Sequence, residues 1–389
     1  MTSDDVVIVG AKRTAIGALL GQFSGVPTPA LGAAALRAAI AAAGVPPESI
    51  DEVVLGCVLQ ANVGQAPARQ AAMGAGLPLG VGATTVNKVC GSGMKAVMLA
   101  RDLIVAGSAN IVAAGGMECM SNAPHLVPVR AGIALGDSTF IDHLLRDGIN
   151  NADGRSLGLF SEDCAAKYGF TRAQQEAYVI ESIRRARRAA EDGTFAREIV
   201  PFARAERGAV LAHDEQIARA DIERLRQLPP AFKPDGTITA ATASGFCDGA
   251  AAVLLMRAGE ATARGIAPLA RIVAHATHSQ APEWFTTAPV DAIRKLAAKA
   301  GWSLDEVDLF EVNEALAVVP LAVMQDLGLP HDKLNVNGGA CVLGHPIGAS
   351  GARLVVTLAH TLKARGLKRG IASLCIGGGE AVAIAIEAC

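Results

Sequence analysis

One pattern written twice constrains this chain more than any other feature. SIDEVVL (Ser49 to Leu55) returns as SLDEVDL (Ser303 to Leu309), and the pair Val86-Asn87 returns as Val336-Asn337. A small-residue turn follows each pair and leads into a long apolar helical pattern. These are GSGMKAVMLARDLIVAG in the first copy and GASGARLVVTLAHTLKARG in the second. Each then gives way to a strand-like run ending in glycines, ANIVAAGGME (Ala109 to Glu118) and IASLCIGGGE (Ile371 to Glu380). An ordered series of matches about 250 residues apart marks a duplicated unit. Alternating strand-like and helix-like runs make that unit βαβ-like, so the fold class is α/β.

Composition agrees. The 389 residues are 51% hydrophobic, enough for one large core or two to three ordinary ones. With 42 glycines and only 4% aromatics, a tightly packed α/β protein is favoured over a sandwich. A net charge of −2 gives no electrostatic reason to expect nucleic acid or an anionic membrane as partner. The charge-free run Thr14 to Leu36 is broken by Pro27 and Pro29 and is not a membrane span. None of the eight cysteines forms a C-x-x-C pair, so no metal site is expected. Scattered cysteines and no export signal point to reduced thiols and a cytoplasmic location.

The expected division has an N-terminal half in residues 1–120, completed by about 245–268, and a C-terminal half in 269–389. Charge concentrates in the segment between them, 121–244, which is expected to lie over the duplicated core as an insertion. Within it, Thr171 to Ile199 predicts an amphipathic helix, with Thr171 and Gln174 at capping-box spacing and Gly193 as its stop. Its cluster Arg184, Arg185, Arg187 and Arg188 either binds phosphates or forms a solvated face.

The stretch VNKVCGSGMKA sets Cys90 at a turn before the first repeated helix. The small residues allow close approach of a ligand, and helix N–H groups aimed at the sulfur would lower its pKa. A packed core thiol is the alternative. His345 lies in the loop of NGGACVLGHPIGASGAR, where Gly344 and Pro346 argue against a helix shared with Cys341. Cys375 ends an apolar strand before three glycines, and EVNEALA places Asn313 and Glu314 where an Asn ordinarily caps a helix. A thiol, an imidazole to take its proton, a second thiol and an amide donor suit acyl transfer through a thioester.

At these residues the chain resembles the thiolase family over nearly its full length. The blocks are VNKVCGSGMKA, GGMECMSNAPH, NEALA, NVNGGACVLGHPIGASGAR and CIGGGE, with AFKPDGTITAATASG and VIVGAKRTAIG in support. Ketoacyl synthases share the duplicated fold but normally carry a second histidine where Cys375 stands. The resemblance implies a five-layered αβαβα fold whose loop domain, residues 121–244, binds coenzyme A. It implies reversible Claisen condensation of two acetyl-CoA to acetoacetyl-CoA and CoA, or cleavage of 3-ketoacyl-CoA. Cys90 would carry the acyl group, His345 would activate it, and Cys375 would move the α-proton. Asn313 would hold a water that completes one oxyanion hole with His345, and the N–H groups of Cys90 and Gly377 would form the other. Ser244, Phe232, Leu316 and Leu157 would line the pantetheine channel. Acyl-CoA and CoA are then substrates, no cofactor is permanently bound, and a homotetramer or homodimer is expected.

The chain departs from the family in several places. Leu316 replaces a usual Phe, which would remove an aromatic wall, and Ser156-Leu157-Gly158 replaces a frequent His-Met-Gly. Thr242 stands for a usual Asn, and Glu380 with Ala381 follows the glycines where Gln or Met and then Gly are common. Glu380 would either raise the pKa of Cys375 or point away. These changes motivate an alternative, a non-catalytic thiolase-fold protein that binds acyl-CoA.

Overall fold

The structure, a computed structural model, describes residues 1–204 and 208–389. Its principal strands are β1 (Val6–Thr14), β2 (Glu52–Gly56), β3 (Gly82–Val86), β4 (Ile111–Cys119), β5 (Cys247–Arg257), β6 (Ala270–Ser279), β7 (Leu309–Val312), β8 (Arg369–Ile376) and β9 (Glu380–Ala388). The principal helices are α1 (Thr28–Ala43), α2 (Ser92–Ala106), α3 (Leu157–Tyr168), α4 (Arg172–Glu191), α5 (Ala288–Ala300) and α6 (Ile347–Arg365). The strands lie in one sheet in the order β7-β8-β9-β6-β1-β5-β4-β2-β3.

That order is the duplication made visible. Outward from the β1–β6 seam, one half runs β1, β5, β4, β2, β3 and the other β6, β9, β8, β7. In both halves the two inner junctions are antiparallel and the next is parallel. The counterpart of β3 has shrunk to one parallel bridge between Phe310 and Leu334. SIDEVVL and SLDEVDL thus end in β2 and β7, at equivalent places. The pairs β1/β6 and β5/β9 share no obvious motif, and only their positions reveal them as copies.

Neighbouring residues along each strand feed different cores, as expected of a sheet covered on both faces. Val7 and Val9 of β1 join one apolar cluster with α1 and α5, whereas Val6 and Ile8 join another with α2 and α6. Helices α2 and α6 are packed against each other between the two halves of the sheet, and α1 and α5 cover its outer faces. The result is the expected αβαβα layering. Helix α6 is buried along most of its length, so it follows no polar stripe.

The α4 helix begins as predicted, with Thr171 and Gln174 closing a reciprocal capping box. It ends at Glu191, and Gly193, the predicted stop, follows with φ +80°, so the rest of the stretch to Ile199 lies outside the helix. The insertion is fastened to the core by Arg13 of β1. Its guanidinium holds Glu198 at 2.6 Å and Asp214 through two contacts of 2.7 and 2.9 Å, all buried. Breaking one member of such a buried group costs about 3–5 kcal/mol, because a charge is left unpaired. Among the described residues, no helix is long and apolar enough to cross a membrane.

Candidate active site

Cys90, His345 and Cys375 line one pocket of about 120 Å³, although they come from three distant parts of the chain. Ser156, Leu157, Gly158, Phe232, Ser244 and Leu316 line it too. Wider clefts, up to about 590 Å³, open elsewhere without either of these thiols. Size is therefore not what distinguishes this pocket. Phe246 and Phe285 also face it beside Phe232. The aromatic wall that Leu316 was expected to remove is supplied from other elements.

Cys90 sits at the head of α2 on a strained turn. Val89 has φ +46°, which is costly for a β-branched side chain. Two side chains hold the turn. Asn87 Oδ1 accepts from the Val89 N–H at 3.0 Å, while Ser92 Oγ accepts from the Lys88 N–H at 2.8 Å and donates to the Val89 carbonyl at 2.6 Å. The sequence marks Asn87 only as part of a repeated pair, while a Ser at the first helical position is a usable signal for Ser92.

The flanking glycines do a different job from the one expected. A Cβ on Gly93 would lie 2.9 Å from the Gly348 carbonyl oxygen, and one on Gly351 would lie 2.5 Å from the Met94 nitrogen. A Cβ on Gly91 would meet Ile376 Cδ1 at 2.4 Å. Gly93 and Gly351 let α2 and α6 approach closely, and Gly91 makes room for Ile376 of β8.

The expected lowering of the thiol pKa is also corrected. Burial dominates and pushes Cys90 up to about 11, against the opposing effect of the N–H groups of Gly377 and of Cys90 itself, which point at Sγ. The Cys375 thiol, at the end of β8, is held well above its ordinary range by burial and then by Cys90. Both sulfurs rest as thiols, and a thiolate needs a base at hand.

His345 can serve as that base. It is almost wholly buried, and the loss of water together with the nearby Arg353 charge brings its pKa down to about 3. Ser350 Oγ donates to the Pro346 carbonyl at 2.9 Å and so accepts from His345 Nδ1 at 2.6 Å. With the proton on Nδ1, the Nε2 lone pair is an acceptor that faces Asn313 Nδ2. Ser350 lies inside a motif already noted, but its role became readable only from this geometry. As predicted, Cys341 and His345 share no helix: Ala340–Leu343 forms one turn that ends at Gly344.

A folded pKa below the unfolded value means that the unfolded chain binds more protons in between, so stability falls as pH drops from about 6.5 towards 3. The His345→Asn variant is expected to show a shallower loss of melting temperature across that window than the parent chain.

Asn313 caps no helix, contrary to the default. It follows β7, its N–H bonds the Ser373 carbonyl, and Nδ2 lies 3.5 Å from His345 Nε2. Its Oδ1 is buried with no partner among the described residues. Neighbouring Glu314 is structural, accepting from Tyr178, Ser182, Asn335 and the Cys341 N–H. Another buried carboxylate, Glu118, was not anticipated. It accepts from the N–H groups of Val58, Leu59 and Gly348, and burial raises its pKa to about 7.

The pocket walls are pinned by backbone pairing. The Ser244 N–H bonds the Ala315 carbonyl, the Ala317 N–H bonds the Thr242 carbonyl, and the His345 N–H bonds the Gly245 carbonyl. Thr242 accepts from the Thr239 N–H. Ser156 caps α3, and a Cβ on Gly158 would lie 2.2 Å from the Phe232 ring, so glycine there makes room for that aromatic. Leu157 stands over Gly377, 3.5 Å from where its Cβ would be.

Two remaining expectations resolve simply. Glu380 points away from Cys375, towards Lys88 Nζ at 2.5 Å and Ser279 Oγ at 3.0 Å. Three of the four arginines bond carbonyls: Arg185 that of Leu334, Arg187 that of Ala220 and Arg188 that of Val336, while Arg184 faces Glu181. The cluster buttresses the fold.

Comparison with known proteins agrees with the geometry. Residues 6–259 match the family described as thiolase, N-terminal domain, and residues 266–388 match thiolase, C-terminal domain. An acetyl-CoA acetyltransferase of Chromobacterium violaceum is 48% identical, covering 98% of this chain and 99% of its own. One from Pseudomonas aeruginosa is 47% identical over the same shares. A mouse protein named acetyl-CoA acetyltransferase, cytosolic, is 45% identical over 99% of this chain and 98% of its own. The chain belongs to the thiolase family.

Proposed function

We propose that the chain catalyses reversible, CoA-dependent Claisen condensation and thiolysis through an acyl group carried on Cys90. The observation that carries this reading is the single apolar pocket holding Cys90, His345 and Cys375, with the N–H groups of Cys90 and Gly377 turned towards the sulfur. A thioester carbonyl entering there has its oxygen near those two donors. Fixed N–H groups then stabilise the developing oxyanion better than reorganising water does. His345 Nε2 takes the Cys90 proton as the carbon–sulfur bond forms and returns it to the departing CoA thiolate. After a second acyl-CoA binds, the Cys375 thiol gives its proton to His345 Nε2 and the resulting thiolate removes the α-proton. The enolate oxygen accepts from the protonated Nε2 and from a water that also donates to Asn313 Oδ1. The Cys90 thiolate released as the α-carbon attacks the thioester takes the proton back from His345. Thiolysis runs the same steps backwards. Nothing in this sequence of steps calls for a metal or redox cofactor.

Leu157, Phe232, Ser244 and Leu316 form the walls along which the pantetheine arm reaches Cys90. The names of the relatives favour two acetyl-CoA giving acetoacetyl-CoA and CoA, with longer 3-ketoacyl-CoA as further candidates. The mouse relative's name supports a cytoplasmic location. A homotetramer or homodimer fits the exposed apolar side chains Val129, Ile133, Leu135 and Phe140 and the place of β3 at the end of the sheet, since exposed apolar groups and sheet edges are surfaces a partner covers.

Mass spectrometry after incubation with acetyl-CoA tests the central step: an acetyl adduct on Cys90 is expected. Its absence would favour the non-catalytic alternative. Thiolysis rates for ketoacyl-CoA substrates of about four to ten carbons then set the chain length, and a steep preference for acetoacetyl-CoA is expected from a pocket closed by three Phe side chains.

A further inference from the structure

The two N–H groups aimed at Cys90 come from opposite halves of the chain, one on a strained turn and the other on a turn of three glycines. The turn before α2 holds Val89 at φ +46°, a conformation that persists only where its surroundings enforce it. The turn after β8 is Gly377-Gly378-Gly379, with φ +90° and +87° at the last two. Three glycines leave it no side chain to pack and the widest choice of backbone conformations. A strained turn and a permissive one must nevertheless agree to within a fraction of an ångström, because a donor stabilises an oxyanion only at about 2.7–3.1 Å.

One ion pair crosses between them. Lys88, two residues before Cys90, places Nζ 2.5 Å from Glu380 Oε2, and Glu380 follows the three glycines directly. Glu380 is a firm anchor. Its backbone is paired on both sides, with Ile376 in β8 and Ser279 in β6, and Ser279 Oγ donates to Oε1 at 3.0 Å. Lys88 is firm as well, since its N–H is held by Ser92. Apolar side chains also meet here, Ile376 against Gly91 and both Val89 and Leu157 over Gly377, but none of them fixes a direction as an ion pair does.

We propose that Lys88 and Glu380 are positioning residues whose ion pair sets the Gly377 N–H against the Cys90 N–H and so completes the oxyanion site. The pair is partly exposed, at 20% and 31%, and pairs of this kind add little to global stability. Its effect lies in the rate. This inference rests on the acyl-transfer reading given above.

The test is a double-mutant cycle with Glu380→Gln, Lys88→Met and the two combined, assayed for acetoacetyl-CoA thiolysis. Each single variant is expected to lose kcat about tenfold, since small misplacement at a reacting centre has effects of this order or larger. KM values and the melting temperature stay close to those of the parent. The double variant should be no slower than either single one, because both remove the same contact. Unchanged kcat in Glu380→Gln overturns the proposal, as do single losses that multiply in the double variant. Losses that accompany a lower melting temperature and raised KM overturn it too, since they report a weakened fold. If the parent chain itself formed no adduct on Cys90, the acyl-transfer reading would fail first. An active parent beside unaffected variants removes only the positioning role.

Discussion

The Cys90→Ser variant is expected to lose acetoacetyl-CoA thiolysis and acetyl exchange by at least about 10³-fold, the scale on which activated nucleophiles fail when replaced. Burial already pushes the Cys90 thiol up to about 11, so even the thiol needs the neutral His345 and the two N–H donors to react as a thiolate. A hydroxyl is a far weaker acid, so the same base cannot supply the alkoxide. The substitution changes little else: the side chain is nearly isosteric, Val89 keeps its support from Asn87 and Ser92, and the Gly91–Ile376 contact is untouched. An unchanged melting temperature beside an empty acyl-adduct spectrum is the expected pair of measurements. Turnover near that of the parent would remove Cys90 from the mechanism.

Cys375→Ala is expected to separate two steps that Cys90→Ser abolishes together. Acyl transfer to Cys90 needs only Cys90, His345 and the N–H donors, so incubation with acetyl-CoA should still give the adduct. Carbon–carbon bond formation and cleavage need a group to move the α-proton, and both should fall by about 10³-fold or more, within the range for removing an essential acid–base group. Cys375 is buried beside Cys90 and its thiol is held well above the ordinary range, which makes its conjugate base a strong one once formed. Removing the sulfur leaves a small apolar void and should destabilise the fold only mildly. A variant that condensed acetyl-CoA normally would assign the proton transfer elsewhere.

The duplication was legible because its marks are local: SIDEVVL, the Val-Asn pairs and the two small-residue helices predict equivalent elements, and β2/β7 and α2/α6 occupy equivalent places. The copies β1/β6 and β5/β9 were not legible. Strands buried on both faces need only be apolar, so their sequences drift without a trace. At the site, a thiol or imidazole has a recognisable chemistry, and Cys90, His345 and Cys375 could be named before they met. Ser350, Asn87 and Glu118 could not, since a hydroxyl, amide or carboxylate takes its meaning from its neighbours. The glycines mislead for a related reason. A missing Cβ looks the same in sequence whether a ligand or the protein itself fills the space, and here α6 and Ile376 fill it. The thiol pKa also depends on burial, which outweighs the helix N-terminus.

The β1–β6 seam has a consequence for how the chain comes into being. β1 is made well before its neighbours β5 and β6, which lie at residues 247–257 and 270–279. At roughly 5–20 residues per second, a ribosome needs on the order of tens of seconds to supply them. Throughout that interval an apolar strand with two unsatisfied edges waits in the nascent chain, and Arg13 waits for Glu198 and Asp214. The feature that fuses the halves into one sheet also postpones the burial of β1 until partners from far along the chain have been made, which leaves an apolar strand for holdase chaperones to shield in the meantime.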